Sequence, residues 1–190
     1  GAYIGEEKIL TKNTTPESYE LHSLFAQMRD EGCKCVVMEV SSQGLKHKRT
    51  AGITFDYGAF LNISPDHIGA GEHADFAEYM DCKKRLFDQT KYAVVNLEDE
   101  HWQEITEKAL DKVTFSTAGQ ADFMAREIAN LWEPGILGVS FQLEGEAHGE
   151  VVLNMPGAFN VQNALASISI THQMGIPFEK IQTALRKVAV

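Results

Sequence analysis

Cysteine is scarce in this 190-residue sequence, and its three copies lack the spacing of a structural zinc site. Cys33 and Cys35 form a C-x-C pair, Cys82 stands alone, and no second pair completes a set of four ligands. Three reduced thiols in a cytoplasmic protein are the simplest interpretation, because stable disulfides belong to oxidising compartments.

Basic residues are also few. The sequence has 17 Lys and Arg against 27 Asp and Glu, which gives a formal net charge of -10. Proteins that cover nucleic-acid phosphates need clustered cations, so this scattered minority argues against a nucleic-acid partner. An anionic ligand would need backbone amides, a few well-placed cations or a metal ion.

Two sequence patterns are absent. No apolar run approaches the roughly 18 residues that span a bilayer, and no basic flank with an apolar segment opens the chain, so we expect neither membrane insertion nor export. No G-x-x-x-x-G-K-[ST] motif occurs, so the sequence contains no phosphate-binding P-loop. A nucleotide enzyme made of these residues alone would be incomplete.

The pattern of elements predicts an α/β fold in one domain: a doubly wound, mostly parallel sheet with a small antiparallel subsheet. Residues 1–112 form the parallel part, 113–156 short antiparallel strands, and 157–190 two closing helices, 159–173 and 178–187. In the parallel part, the predicted strands are 34–40, 57–63 and 92–97, and the predicted helices are 15–32 and 75–88. Thr15 is expected to cap the first helix, Pro16 to lie in its first turn and Gly32 to end it.

Two polar residues stand where predicted parallel strands end, which is the edge at which such sheets bind ligands. Glu39 closes the strand 34–40 and could reach a metal-bound nucleotide, or it could instead cap the turn at Ser41–Ser42. Ser64-Pro65 predicts a helix start after the next strand, with His67 in its first turn. His67 is either a ligand near the strand end or a partly buried structural residue.

A lysine lies on the apolar face of the predicted helix 75–88. That face follows helical spacing and consists of Phe76, Tyr79, Met80, Lys83, Leu86 and Phe87. Lys84 points away from it. Lys83 must either extend its ammonium to water or have its charged form disfavoured by burial. A neutral amine can react with carbon dioxide to give a carbamate, which would be a carboxylate-like metal ligand.

The sequence resembles the central domain of the Mur ligases, especially the branch that adds the third amino acid to UDP-N-acetylmuramoyl-L-alanyl-D-glutamate. The matching motifs occur in family order: "NTTPES" at 13–18, "MEVSSQGLKHKR" at 38–49, "FLNISPDH" at 60–67, "YMDCKKRLF" at 79–87, "VVNLED" at 94–99 and "PGAFNVQNALAS" at 156–167. The resemblance implies ATP-dependent amide formation through an acyl phosphate, with ATP and Mg²⁺ as cofactors.

The resemblance also implies residue roles. Glu39, His67 and a carbamylated Lys83 would hold magnesium and serve catalysis. The UDP-sugar dipeptide would be bound by Asn13, Thr14, Thr15, Ser41 and Arg49. Asn160 and Asn163 would lie near adenine, although Asn160 could also cap a helix. We expect a monomer whose partners are the UDP-sugar dipeptide and an amino acid.

The sequence departs from the family pattern in three ways. The phosphate loop is expected before residue 1, a C-terminal domain is expected after Val190, and "IGAGEHADFAE" at 68–78 is longer than the usual segment and lacks its Asp-Tyr pair. These residues alone are therefore predicted not to catalyse ligation. Alternatives are a cyanophycin-synthetase-like, poly-glutamate-synthase-like or folylpolyglutamate-synthase-like ligase, or a degenerate binding module. The amino acid that is added stays open.

Overall fold

The computed structural model describes residues 1–133 and 136–188. The α-helices are α1 (Ser18–Asp30), α2 (Ser42–Lys46), α3 (Phe76–Lys84), α4 (Trp102–Ile105), α5 (Ala158–Gln173) and α6 (Phe178–Lys187). The strands are β1 (Ala2–Ile4), β2 (Glu7–Ile9), β3 (Phe55–Phe60), β4 (Thr90–Asn96), β5 (Asp111–Ser116), β6 (Phe123–Glu133), β7 (Ile136–Gly145) and β8 (Gly149–Leu153). Within these residues, no helix is long and apolar enough to cross a membrane.

The chain forms two compact units, one of residues 1–54 and 65–89 and the other of residues 55–64 and 90–190. The second unit contains a six-stranded sheet in the order β3-β4-β5-β6-β7-β8. The first contains the two-stranded antiparallel sheet β1-β2. The predicted α/β class is confirmed, whereas these units divide the chain at positions other than 112 and 156.

Strand direction in the six-stranded sheet changes later than the sequence pattern indicates. β3, β4, β5 and β6 pair in parallel, and only β7 and β8 add antiparallel pairs. The prediction that "KVTFS" forms an antiparallel strand was wrong, because β5 aligns Val113 with Val94 in the parallel register. The antiparallel part is a continuation of the same sheet, since β6 pairs with both β5 and β7.

Helix α5 covers the second unit's sheet with an apolar stripe. Val161, Leu165 and Ile168 recur at helical spacing and are fully buried, and α5 packs on β4, β5 and β6. Each such side chain contributes about 1.5–3 kcal/mol through burial. The predicted closing helices at 159–173 and 178–187 are confirmed within one residue at their ends.

One carboxylate links three segments of the second unit. Glu98 follows β4 and accepts hydrogen bonds from the Ser116 hydroxyl, from both the backbone N–H and the hydroxyl of Thr117, and from Gln162 Nε2 on α5. Burial alone would raise the pKa of Glu98, but these hydrogen bonds together lower it below its ordinary value. The ionised carboxylate is therefore the form that joins the segments.

We expect Glu98→Gln to reduce the free energy of unfolding at neutral pH by about 1 kcal/mol, a small value because solvent screens this partly exposed group. Because the folded-state pKa is lowered, the Glu98 contribution is present above the unfolded-state pKa and is lost as pH falls through the folded-state pKa. Urea unfolding from pH 7 to pH 3 should therefore show the two proteins converging in acid. A difference that grows as pH falls would contradict this assignment.

In the first unit, α1 ends as its sequence predicts but begins later. Gly32 has a φ of 80°, its N–H donates to Arg29 O, and Cys33 N–H donates to Met28 O. This is the Schellman pattern in which glycine supplies the left-handed residue. The prediction that Thr15 caps this helix was wrong, because Glu17 is the N-cap residue and the hydroxyl of the buried Thr15 donates a hydrogen bond to Glu39 O.

The segment 34–40 does not form the predicted buried strand. Its residues have no regular structure and Val37 is 94% exposed. A strand needs partners for its backbone N–H and C=O groups, and no described strand pairs with this segment. Glu39 therefore lies in an exposed, irregular segment and not at the end of a strand.

The helix predicted from Ser64-Pro65 is also absent. Residues 61–75 form a loop in which His67 has a φ of 54°, which lies in the left-handed region and is incompatible with a right-handed helical turn. The next helix, α3, begins only at Phe76, where the Asp75 carboxylate accepts a hydrogen bond from Glu78 N–H and supplies the cap.

Candidate active site

The Tyr79 ring is the point at which two of the predicted catalytic side chains meet. Lys83 Nζ lies 5.1 Å from the centroid of this ring, and the His67 ring lies edge-on with its centroid 5.9 Å away. Tyr79 is 6% exposed and stands one helical turn before Lys83 on α3. A lysine from a helix and a histidine from the loop before it therefore contact the same aromatic ring.

Lys83 is half-buried, as the spacing of α3 predicts. Burial lowers the pKa of Lys83, and the nearby carboxylates of Glu39 and Asp66 oppose this by favouring the ammonium. Both acids are therefore close enough to act on the lysine electrostatically. The neighbouring Lys84, which was predicted to point away from the apolar face, is also half-buried and pairs with Asp81 at 3.5 Å.

His67 is exposed and lies between two acids. Its Nδ1 is 3.4 Å from Glu72 Oε1, and its Nε2 is 3.7 Å from Asp66 Oδ2. The Asp66 carboxylate also accepts a hydrogen bond from the His67 backbone N–H. The imidazole is therefore accessible to a ligand while its backbone is held by the preceding residue.

A second histidine in the same loop was not identified from the sequence. His73 is fully buried, its Nε2 lies 2.9 Å from the Ser42 hydroxyl on α2, and its ring packs 5.2 Å from Tyr79 between centroids. Its backbone N–H donates to His67 O. Burial lowers the pKa of His73, with Lys46 as the next contribution, so the neutral imidazole is favoured. His73 lies among the turn residues of a loop, which have no helical or strand periodicity, so the hydrophobic pattern of the sequence did not identify it.

Lys46 and Glu78 join α2 to α3 beside this histidine. Lys46 Nζ lies 2.9 Å from Glu78 Oε1 and donates to Glu72 O. The other carboxylate oxygen of Glu78 accepts from Ala74 N–H, and these two bonds, the backbone one first, lower the pKa of Glu78. The ionised Glu78 therefore fixes the end of the loop that carries His67.

Three of the predicted substrate-binding residues come together through the buried Thr15. The Thr15 hydroxyl donates to Glu39 O and accepts from Ser41 N–H, while Thr15 O accepts from Arg49 Nη1. Gly44 permits this approach, because a Cβ there would lie 2.8 Å from Thr15 side-chain atoms. The structure thus gives Thr15 a tethering role, since its hydroxyl is occupied by backbone groups.

The other members of this group differ in exposure. Arg49 is mostly buried and forms an ion pair with Glu17 at 2.8 Å. Asn13 donates to the same Glu17 carboxylate, and Thr14 is exposed. The Ser41 hydroxyl caps α2 by accepting from Gly44 N–H, so the turn has its own cap and does not need the Glu39 side chain.

The two predicted nucleotide-binding asparagines lie on α5 in the second unit. Asn160 is buried, and its Nδ2 donates to Pro156 O just before the helix. Asn163 is exposed on the next turn. The N-cap of α5 is Gly157, so Asn160 is not the cap but a residue in the first turn that bonds back to the preceding loop.

The acidic residues around Lys83 fit one kind of cation. Among residues 1–133 and 136–188, no group of three or more His, Cys, Asp or Glu side chains is arranged to hold a metal ion. Magnesium, however, commonly uses one or two protein carboxylates and completes its shell with water and substrate phosphates. Glu39 and Asp66 supply hard oxygen donors of this kind, so the donor set fits Mg²⁺ together with a phosphate-bearing substrate.

Comparison with known proteins defines the class. Residues 1–171 match the family described as the Mur ligase middle domain, and the chain belongs to that family. A Clostridium perfringens protein named UDP-N-acetylmuramoyl-L-alanyl-D-glutamate--2,6-diaminopimelate ligase is 36% identical over 99% of the chain. A Lactococcus lactis subsp. cremoris protein named UDP-N-acetylmuramyl-tripeptide synthetase is 37% identical over 98% of it. The chain spans 39% and 37% of the lengths of these two relatives.

Solved structures support the same fold. A structure titled UDP-N-acetylmuramoyl-L-alanyl-D-glutamate--2,6-diaminopimelate ligase matches with a TM-score of 0.81 over 90% of this chain and 36% of that chain, at 24% identity. A crystal structure of MurF from Acinetobacter baumannii matches with a TM-score of 0.60 over 71% of this chain and 29% of that chain, at 27% identity. The first likeness, at this identity, concerns the fold alone.

Proposed function

We propose that this chain is the middle domain of an ATP-dependent ligase that adds an amino acid to UDP-N-acetylmuramoyl-L-alanyl-D-glutamate. The observation that carries the proposal is that Lys83 and His67 both contact the Tyr79 ring, with Glu39 and Asp66 acting electrostatically on the lysine, in a chain of the Mur ligase family. The names of the two relatives support the substrate. ATP and this substrate are cytoplasmic metabolites, so we propose a cytoplasmic enzyme. We also propose that it acts as a monomer.

We assign a role to each candidate residue from the chemistry of its side chain. Glu39 and Asp66 provide carboxylate oxygens, His67 provides an exposed imidazole, and a magnesium ion bound there would offset the charge that ATP and the substrate carboxylate bring together. Asn13, Thr14, Ser41 and Arg49 are proposed to bind the UDP-sugar dipeptide, with Thr15 holding their segments together. Asn160 and Asn163 are proposed to contact adenine.

The proposed ligation has two chemical steps. A substrate carboxylate oxygen attacks the γ-phosphorus of ATP, which forms an acyl phosphate and releases ADP. The amino group of the incoming amino acid then attacks the acyl carbon, the C–O bond to phosphate breaks, and the amine loses a proton as the amide forms. Fixed positive charge at the phosphates stabilises both transition states.

Lys83 is proposed to carry a carbamate. The ammonium first loses one proton to give the neutral amine. The amine attacks carbon dioxide, a C–N bond forms and a second proton is released, so overall a cation becomes an anion. Since burial lowers the pKa of Lys83, a larger fraction is neutral at a given alkaline pH than for an exposed lysine, and this favours the reaction.

The test is phosphate release by the full-length protein that contains this domain. We expect release that requires ATP, Mg²⁺, UDP-N-acetylmuramoyl-L-alanyl-D-glutamate and an amino acid together, and no release by residues 1–190 alone, because the sequence has no P-loop. A panel of amino acids including diaminopimelate and lysine would identify the one that is added. Activity only with a folate or a polyglutamate acceptor would support a related ligase, and binding without phosphate release would support a non-catalytic module.

A further inference from the structure

Lys83 and His67 lie on segments whose backbones differ in regularity. Lys83 is held by the backbone of α3, whereas His67 lies in an irregular loop that contains Gly69 and Gly71 and has only one isolated bridge, between Ile68 and His73. A site built from both residues needs something that relates the loop to the helix. Tyr79 has a ring that contacts both residues.

Tyr79 is itself held on the side away from solvent. The buried His73 packs against its ring at 5.2 Å, and His73 is bonded through Nε2 to the Ser42 hydroxyl of α2. The backbone of His73 also bonds to His67 O, so the loop is tied at both of its histidines. A chain of contacts thus runs from α2 through His73 to the Tyr79 ring.

We propose that Tyr79 is a positioning residue, and that its aromatic ring sets the place of the Lys83 amine and of the His67 imidazole relative to one another. The ring face attracts the ammonium of the unmodified lysine, and the ring contacts the His67 imidazole edge-on, both within the distances at which such contacts operate. The aromatic ring, not the hydroxyl, makes both contacts. Phenylalanine at this position should therefore preserve the arrangement, and leucine should not.

The geometry can be tested without any assay of ligation. In the 190-residue chain labelled with ¹³C-lysine, the ε-proton signals of Lys83, assigned through Lys83→Arg, should be shifted upfield of those of the exposed Lys12 by the Tyr79 ring current. Tyr79→Phe should keep this shift and Tyr79→Leu should abolish it. Phe25→Leu, which removes a half-buried ring from α1 in the same unit, is the matched control and should keep it.

The consequence for catalysis rests on the proposed function and is measured in the full-length protein. Tyr79→Leu should lower kcat about ten- to hundredfold, because small displacements of positioned groups cost this much. KM for the UDP-sugar should change much less, and Tyr79→Phe should retain the rate. Thermal unfolding establishes that each variant is folded.

The outcomes separate the two proposals. Tyr79→Leu removes the ring current together with the ring, so loss of the Lys83 shift establishes the contact alone. The positioning role is tested by ¹³C relaxation at Lys83 Cε: greater side-chain motion in Tyr79→Leu but not in Tyr79→Phe supports it even if the wild-type protein proves to ligate nothing, which would refute only the proposed function. An unshifted Lys83 signal in the wild-type chain, or an unchanged kcat in a folded Tyr79→Leu variant of an active ligase, would overturn the inference about Tyr79.

Discussion

Replacing Lys83 with methionine is expected to reduce kcat/KM of the full-length ligase by about 10²- to 10³-fold, or about 3–4 kcal/mol of transition-state stabilisation. Methionine fills a similar volume in the half-buried position, so the fold should survive. What disappears is the amine that lies over the Tyr79 ring and that Glu39 and Asp66 influence electrostatically. Phosphate release under saturating ATP is the measurement.

A second substitution at the same position distinguishes the two chemical forms of the lysine. Arginine keeps a positive charge but forms no stable carbamate. If the carbamate is the working form, Lys83→Arg should be as inactive as Lys83→Met, whereas retention of activity by arginine would show that a cation suffices. Intact mass measured with ¹³C-bicarbonate should show one added carboxyl in the wild-type protein and none in either variant.

Lys84 provides the matched control for these substitutions. It is the next residue on α3, and its ammonium pairs with Asp81 on the same helix. Lys84→Met should therefore leave kcat/KM within about threefold, since an ion pair of this kind contributes less than about 1 kcal/mol. Equal losses from Lys83→Met and Lys84→Met would indicate damage to α3 and would contradict a specific role for Lys83.

Replacing Gly145 with alanine is expected to reduce the free energy of unfolding by about 3–5 kcal/mol. Gly145 ends β7 with a φ of 110°, a conformation that side-chain-bearing residues rarely adopt, and a Cβ there would collide with the carbonyl of Asp122. That carbonyl cannot move freely. It accepts from Glu146 N–H, and the Asp122 carboxylate accepts from both the N–H and the hydroxyl of Thr114.

Gly175 allows the cost of the left-handed backbone conformation to be separated from the cost of the Cβ collision. It follows α5 with a φ of 77°, and nothing lies within 4 Å of the Cβ that alanine would add. Gly175→Ala should therefore cost only the left-handed backbone conformation, about 1–2 kcal/mol. Urea unfolding of both variants measures the difference. Equal losses would mean that the backbone collision at Gly145 is relieved at little cost.

Local signals in the sequence predicted those parts of the fold that depend on neighbours in the chain. The end of α1 at Gly32, the stripe of α3 around Tyr79 and Lys83, and the closing helices α5 and α6 all follow from periodicity and from residues that cap or break a helix. These features are decided within a few turns of backbone. Pattern reasoning therefore located Lys83 correctly on its helix.

The same reasoning failed where pairing between distant segments decides the outcome. The run around Val36 and Val37 has the composition of a buried strand, yet it stays irregular and exposed because no described strand supplies its backbone hydrogen bonds. β5 has the alternation of an antiparallel strand, but its neighbours β4 and β6 run parallel to it. The composition of a segment indicates whether it could be a buried strand, but it does not identify the strand with which that segment pairs.

The candidate site divides in the same way. The order of the sequence motifs was enough to identify the family to which the chain belongs. It also predicted Glu39, His67 and Lys83 as candidate catalytic residues, because residue identity and spacing can be read directly from the sequence. Only the tertiary structure decided that the Tyr79 ring contacts both the lysine and His67, that the buried His73 packs against it, and that Thr15 serves as a tether. Those outcomes depend on the course of an irregular loop and on contacts between separate segments, such as His73 with Ser42 and Thr15 with Glu39, and these exist only once the chain has folded.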